Sequence, residues 1–254
     1  MNIAFHNGVS GLIGYQQDLD VLAHNMANVN TNGFKESSSV FEDLLYTEMD
    51  TNAEDKHPTG HGMRIRNLNL SMEQGSPRQT NSPLDFAIMG EGFFAVERNG
   101  RVEYTRNGSL RIGMEGNDGY LVASDGGYML DSKGQRIKLD RDKETNLFAT
   151  DNIVDKLGVY LFSNPYGLEQ TTQSSFVQTA ISGEPYIYAG NVNKRGEDGQ
   201  SKSPYTVLQM AVETSNVHLA DQMVGMIVTQ RAYQMNAKMV QTADQLEEIV
   251  NNLR

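Results

Sequence analysis

Residues 3–30, IAFHNGVSGLIGYQQDLDVLAHNMANVN, decide how the chain is read. Phe5, Val9, Leu12, Gln16, Leu19, Ala23 and Met26 recur at alternating steps of four and three, the spacing of a helical a/d seam. The same rhythm returns at the other end through Leu219, Met223, Met226, Gln230, Tyr233, Ala237 and Val240. Beyond Val240 it slips and continues through Ala243, Leu246, Val250 and Leu253, a shift that alters local supercoiling. Two long amphipathic helices, roughly 40 and 55 Å at about 1.5 Å per residue, are therefore expected to pair across the length of the sequence. Gly8, Gly11 and Gly14 interrupt the first stripe, each costing about 0.8 to 1 kcal/mol of helix relative to alanine. A helix so weakened needs a partner, either a closely packed backbone or a neighbour present only on assembly. The stripes thus read as half-interfaces to be completed by other chains.

Between the stripes the pattern changes. Asn28-Val29-Asn30-Thr31-Asn32-Gly33 supplies the left-handed conformations that stop a helix. In residues 36–50 the spacing of Val40, Phe41, Leu44 and Leu45 predicts a further helix, and residues 51–62 a polar loop. From Met63 the period falls to two, with Ile65, Leu68 and Leu70, so strands begin there. Residues 84–190 read as an all-β module of short strands and hairpins, punctuated by Asn99-Gly100, Asn107-Gly108, Asp118-Gly119, Asp125-Gly126-Gly127 and Lys133-Gly134. Residues 140–152 read as a polar insertion and 190–204 as a flexible linker. An extended piece over 206–212 returns the chain to the last helix, with Thr214, Ser215 and Asn216 as candidate N-caps. The expected class is α+β, with segments 1–35, 36–83, 84–190, 191–212 and 213–254.

Composition excludes several functions. The formal net charge of −11 argues against nucleic-acid or anionic-membrane surfaces. Residues 1–32 carry −2 and residues 215–254 carry −1, leaving −8 in the middle, so nearly neutral ends can pack against copies of themselves. There is no cysteine for a disulfide, thiolate metal site or thiol nucleophile. No cationic and apolar leader precedes Lys35, so a cleaved signal is not expected, and no run of 18 apolar residues spans a membrane.

Isolated motifs fail on context. Gly90-Glu91-Gly92-Phe93-Phe94-Ala95 matches a dinucleotide fingerprint, yet Phe93 to Val96 continues as strand where phosphate binding needs a helix N-terminus. His57 and His61 are separated by Pro58 and Gly60, which forbid the helix that would align them on a metal. Asp140, Asp142, Glu144 and Asp151 loosely follow a calcium loop, but Thr145 occupies the glycine position. No Gly-x-Ser-x-Gly elbow occurs, and the chain is read as carrying no catalytic, metal or cofactor site. Met223, Met226, Met235 and Met239 give the last helix an adaptable apolar face, read as a helix–helix interface.

Three stretches together resemble the bacterial flagellar rod and hook axial family. Asn25-Met26-Ala27-Asn28-Val29-Asn30-Thr31-Asn32-Gly33-Phe34-Lys35 is similar to its N-terminal signature. Pro83 to Phe94 with Tyr104-Thr105-Arg106-Asn107-Gly108 is similar to the opening of its β domain. Glu213-Thr214-Ser215-Asn216-Val217 followed by Gln230-Arg231-Ala232-Tyr233 resembles its C-terminal signature. Val40 to Tyr46 and the overall length place the likeness nearest the distal-rod branch, with hook and proximal-rod paralogues in the same mould. The resemblance implies a non-enzymatic filament subunit of the basal body, exported across the inner membrane by the flagellar type III apparatus with uncleaved N-terminal information. Its implied partners are copies of itself and neighbouring rod and hook proteins, without nucleic acid, cofactor or membrane insertion. Its implied self-assembly residues are Phe5, Val9, Leu12, Leu19, Ala23 and Met26 at one end and Leu219, Met223, Met226, Tyr233, Ala237, Val240, Leu246 and Val250 at the other. The resemblance further implies that the paired helices form an inner layer lining a channel, with the β domain outside. Asn25, Asn28, Thr31, Gly33, Phe34 and Lys35 are the turn and signature residues, with Asn32-Gly33 expected to turn the chain out of that layer. The competing expectation is a secreted, non-polymerising binding module whose helices only brace a β domain.

Overall fold

The computed structural model describes residues 3–49, 57–116, 118–139, 153–172, 174–188 and 204–253. In chain order, helix α1 (Ile3–Ala27) leads to β1 (Ser37–Asp43), β2 (Thr47–Met49), β3 (His57–Thr59), β4 (Met63–Leu70) and β5 (Pro77–Gln79). A run of short strands follows: β6 (Phe86–Gly90), β7 (Phe93–Arg98), β8 (Arg101–Thr105), β9 (Leu110–Glu115), β10 (Asp118–Ala123), β11 (Tyr128–Met129) and β12 (Lys138–Leu139). One helical turn, α2 (Ile153–Lys156), precedes β13 (Val159–Leu161), β14 (Glu169–Gln170), β15 (Ser175–Val177) and β16 (Tyr186–Ile187). Strands β17 (Tyr205–Gln209) and β18 (Ala211–Glu213) then lead to the long C-terminal helix α3 (Leu219–Asn252). The predicted insertion 140–152, with its acidic loop, and the linker at 190–203 lie outside the described residues.

The chain divides into two compact units. The first gathers residues 1–27, 36–71 and 218–254: the two long helices and the antiparallel ribbon of β1 with β4, with β2 paired to β3. The predicted helix over 36–50 is instead strand, and β3 occupies part of the predicted loop. The register of β1 shifts between Val40 and Phe41. Such a bulge breaks the alternation of faces and leaves adjacent apolar residues that imitate helical spacing. Tyr15 of α1 meets Phe41 of this ribbon with ring centroids 5.7 Å apart.

The second unit, residues 28–35 and 72–217, is built on a ten-stranded antiparallel sheet whose main path runs β12-β10-β11-β7-β8-β15-β14. Phe86, Ile88, Phe94, Leu121, Met129 and Val159 are all 1% exposed or less and centre its core. The sequence division at 84 and 191 therefore differs from the compact one, since β17 pairs with β6 and β18 with β5 inside this unit. Asn99 and Gly100 both take positive φ, 50° and 75°, between β7 and β8, the two-residue hairpin geometry that matches strand twist. Two other turn predictions are corrected. Asp118 and Gly119 already belong to β10, the turn from β9 falling before them. Asn107-Gly108 closes no hairpin, because β8 pairs with β7 and β15 while β9 pairs with β10; Asn107 Oδ1 instead accepts the Ser109 N–H at 3.1 Å. Phe93–Arg98 after Gly92 is strand, as expected from the sequence.

Candidate assembly site

The expected pairing of α1 with α3 is present, but its fully buried positions are mostly glycine and polar rather than residues of the apolar seams. The buried residues of α1 are Gly8, Gly11, Gly14 and Asn25, and those of α3 are Gln222, Thr229 and Ala243. Each step along α1 is matched by an equal reverse step along α3, the mark of an antiparallel pair. Gly11 faces Asn236, Asp18 bonds Thr229, Leu22 faces Gly225 and Asn25 bonds Gln222. A Cβ on Gly8 would sit 2.8 Å from Val240 Cγ2, and one on Gly11 3.0 Å from the Asn236 amide. The glycines are thus points of close helix approach, and Gly14 serves the same purpose against Met63 and Phe41 of the ribbon.

None of the apolar residues assigned to self-assembly from sequence is fully buried. Phe5, Ala23, Leu219, Met223, Leu246 and Val250 are exposed; Val9, Leu12, Leu19, Met26, Met226, Tyr233, Ala237 and Val240 are half-buried. Sequence reasoning missed a further strip of exposed apolar side chains on α3, Val224, Ile227, Val228 and Ile249, which lie outside the strict a/d spacing. Met235 at 72% and Val228 at 62% exposure are far from an ordinary core position.

The signature residues are held otherwise. In the first unit, buried Asn25 acts as a one-residue strand: its Nδ2 donates to the Ser37 carbonyl at 2.7 Å and its Oδ1 accepts the Ser37 N–H at 3.1 Å. In the second unit, Thr31 Oγ1 donates to Asn28 Oδ1 at 3.1 Å, and the Gly33 N–H donates to the Glu213 carbonyl at 2.9 Å. Gly33 has φ +70°, and a Cβ there would lie 2.6 Å from the Asn107 nitrogen. Both the backbone conformation and the contact require glycine. Phe34 beside it is wholly buried.

Lys35 then enters a buried ion cluster. Its Nζ donates to Glu213 Oε1 and to the Glu73 carbonyl, both at 2.6 Å. Glu213 Oε1 also accepts the Gly75 N–H at 3.0 Å, and Oε2 accepts Arg106 Nη1 at 3.3 Å. Arg106 further donates to the Gly90 carbonyl at 2.9 Å and lies over the Phe93 ring, 5.1 Å from its centroid. Burial draws the pKa of both cations below its ordinary value, and Glu213 opposes that pull. The cluster unites one charge from each of the three recognisable stretches, 178 and 107 residues apart in sequence from Glu213. The sequence signal was their presence inside signatures; no spacing rule could have joined them. The candidate N-caps Thr214, Ser215 and Asn216 are likewise spent elsewhere: Thr214 and Asn216 donate to the Ser76 and Glu73 carbonyls. Ser215 accepts the Val217 N–H, and α3 begins after His218 without a side-chain cap.

Among the described residues no group of three or more His, Cys, Asp or Glu could hold a metal, and His61 Nε2 lies 2.7 Å from Thr47 Oγ1. No described helix is long and apolar enough to cross a membrane. A buried ion cluster in the second unit and, in the first, long helices with uncovered apolar faces are the features of a structural protein. Family comparison gives the same class. The flagella basal body rod protein model matches residues 5–35, the flagellar hook protein FlgE/F/G D1 domain model 87–161, and the flagellar basal body rod FlgEFG protein C-terminal model 208–253. The chain is 35% identical, over 93% of its length and 94% of theirs, to the flagellar basal-body rod protein FlgG of Buchnera aphidicola subsp. Baizongia pistaciae. It is 30% identical to the protein of that name from Bacillus subtilis over 98% of each chain, and 31% identical to that of Caulobacter vibrioides over 99% of each. The chain belongs to the flagellar basal-body rod FlgEFG family. It is a structural, non-enzymatic subunit of the basal-body rod.

Proposed function

We propose that this chain forms the distal part of the rod, polymerising with copies of itself through the apolar faces of α1 and α3 into a helical tube that passes torque toward the hook. The observation that carries this reading is the inversion at the helix pair. Within one chain the fully buried positions of the two helices are glycines, polar residues and Ala243, while Phe5, Met223, Val228, Met235, Leu246 and Val250 remain exposed. Full burial of such side chains is worth about 1.5 to 3 kcal/mol each, so half-exposed ones contribute about 1 kcal/mol apiece when a neighbour covers them. Contacts that repeat without closing generate a filament, and both ends of the chain supply them. Neighbouring rod and hook proteins of the same family present suitable end partners, and the flagellar type III apparatus is the export route that fits a subunit placed beyond the inner membrane. A bracing role for the helices, as in a non-polymerising binding module, would call for a polar outer face instead. Helices α1 and α3, Ile3–Ala27 and Leu219–Asn252, are assigned to the assembling layer on the same grounds.

The test replaces Val228 and Met235 with glutamate in cells holding no other copy. The expected result is an unchanged unfolding midpoint of the purified chain together with loss of rods from isolated basal bodies. Normal rods in the double variant would sink the proposal. Labelled subunits located by reconstruction of basal bodies distinguish distal rod from proximal rod and hook.

A further inference from the structure

We infer that two polar layers in the first unit lock the axial register of α1 against α3, with β1 as the element that makes the register unique. In one layer Asp18 Oδ2 accepts Thr229 Oγ1 at 2.7 Å and its other oxygen accepts the Ser39 hydroxyl. In the other, Asn25 Nδ2 donates to Gln222 Oε1 at 3.0 Å as well as to Ser37, and Gln222 Nε2 donates to Glu36 Oε1 at 2.8 Å. Each layer therefore joins α1 and α3 to the strand or the residue just before it.

The layers lie seven residues apart on both helices, about 10.5 Å along each axis. Helix pairing alone would be degenerate at that spacing. A slip of α3 by one heptad brings Asn236 opposite Asp18 and Thr229 opposite Asn25, polar against polar again. The strand fixes α1 on its own side, because about 10.5 Å corresponds to about three strand residues and an odd shift would turn the Ser39 hydroxyl away from Asp18. Asn25 holds the main chain of Ser37 and Asp18 the hydroxyl of Ser39, and Gln222 adds α3 to the same segment through Glu36. A slip of α3 alone puts the shorter Thr229 where Gln222 reaches Glu36. Buried polar contacts between helices contribute little stability but specify alignment, and here they stand where the apolar seam would otherwise be. For a torque-bearing tube, which rests on the function proposed above, a pair that cannot slide is a stiff one.

The absence of cysteine makes the test clean. Paired cysteines at Leu22 and Gly225 report the observed register, and at Leu22 and Ala232 the slipped one, by disulfide formation in the unassembled full-length chain under mild oxidation. The native pair is expected to form at least about tenfold faster in the parent and in an Asp18→Asn/Thr229→Ser variant, which keep the hydrogen bonds. A variant with leucine at 18, 25, 222 and 229 is expected to form both within about twofold, at undiminished helix content by circular dichroism. The inference is overturned if the leucine variant keeps the native preference, if it loses helix and both disulfides together, or if the parent has no preference. Because the readout needs no filament, its failure leaves the assembly proposal standing, and failure of assembly in the glutamate variants leaves the register untouched.

Discussion

Glu213→Gln should destabilise the second unit more than Lys35→Met, although both break the same salt bridge. Among the described residues Glu213 is the one anion bonded to both buried cations; the side chains of Lys35 and Arg106 are 1% and 6% exposed. Neutralising it leaves both charges out of water without a bonded carboxylate, and Gln Nε2 would present a donor to a donor. Breaking a buried pair in this way costs about 3 to 5 kcal/mol, and two stranded cations put the expected loss at the upper end. Removing Lys35 is gentler, since Glu213 retains Arg106 and the Gly75 N–H, while the Glu73 carbonyl retains the Asn216 amide at 3.2 Å. Methionine also refills the space of the lysine stem, so about 2 to 3 kcal/mol is expected. Hydrogen exchange at the Phe94 and Val96 amides of β7 reads the difference in the full-length chain, because core strands exchange by global opening of their unit. Protection should fall about a thousandfold or more in Glu213→Gln and about thirty- to a hundredfold in Lys35→Met. Equal losses, or a smaller loss in Glu213→Gln, would refute the view that the carboxylate neutralises both cations at once.

Three further outcomes follow from single contacts. Gly33→Val should lower unfolding stability by about 3 kcal/mol or more, because φ +70° disfavours a branched residue and the Asn107 backbone nitrogen lies 2.6 Å from the new Cβ; a denaturation midpoint matching the parent would dismiss this turn. Gly11→Ala alone should be close to neutral, its helix gain of about 1 kcal/mol offset by crowding Asn236, whereas Gly11→Ala/Asn236→Ala should melt higher; equal melting of the two variants would contradict the close approach. The Tyr104 phenol, 4% exposed, is pushed up by burial from its ordinary 10 to about 12. The folded state then holds its proton where the unfolded state has lost it, so this stabilisation is complete below pH 10 and declines by roughly 2 kcal/mol as pH rises to 12. Tyr160 and Tyr205 shift in the same direction, while Lys35, whose pKa is lowered, works against them by adding stability as pH rises toward 10.5. Thermal melts at pH 9 and 11.5 should show a shallower alkaline decline in Tyr104→Phe, and an identical decline would count against Tyr104 as a contributor.

The long helices and the hairpin at Asn99-Gly100 were legible because each is fixed by local pattern: a sustained seam, and a dipeptide suited to two positive φ values. The strand β1 was misread because its bulge at Val40 and Phe41 erases the period of two. Capping was misplaced because Thr214 and Asn216 satisfy distant carbonyls, a competition that sequence neighbourhood does not reveal. The ion cluster was legible only as fragments, its three charges lying in separate signatures and meeting through tertiary structure.

The deepest divergence concerns what apolar spacing means. A seam at steps of four and three states that a helix face will be covered, but it does not name the covering chain. Here the covering partner within the molecule is chosen by residues that look like surface in a pattern: Gly11, Asp18, Asn25, Gln222, Thr229 and Asn236. This division has a physical logic under the assembly proposed above. Polar layers hold the two helices in one alignment at little gain in stability, so the apolar faces are not consumed inside the chain. Had the apolar seams met each other, the single chain would be more stable and would have far less apolar surface left to join its neighbours. The glycines act in the same direction, weakening α1 in isolation while admitting α3 and the ribbon closely once they are present. On the assembly and register proposed above, the two lie on different faces of the same helices, and each can be altered by substitution without direct change to the other.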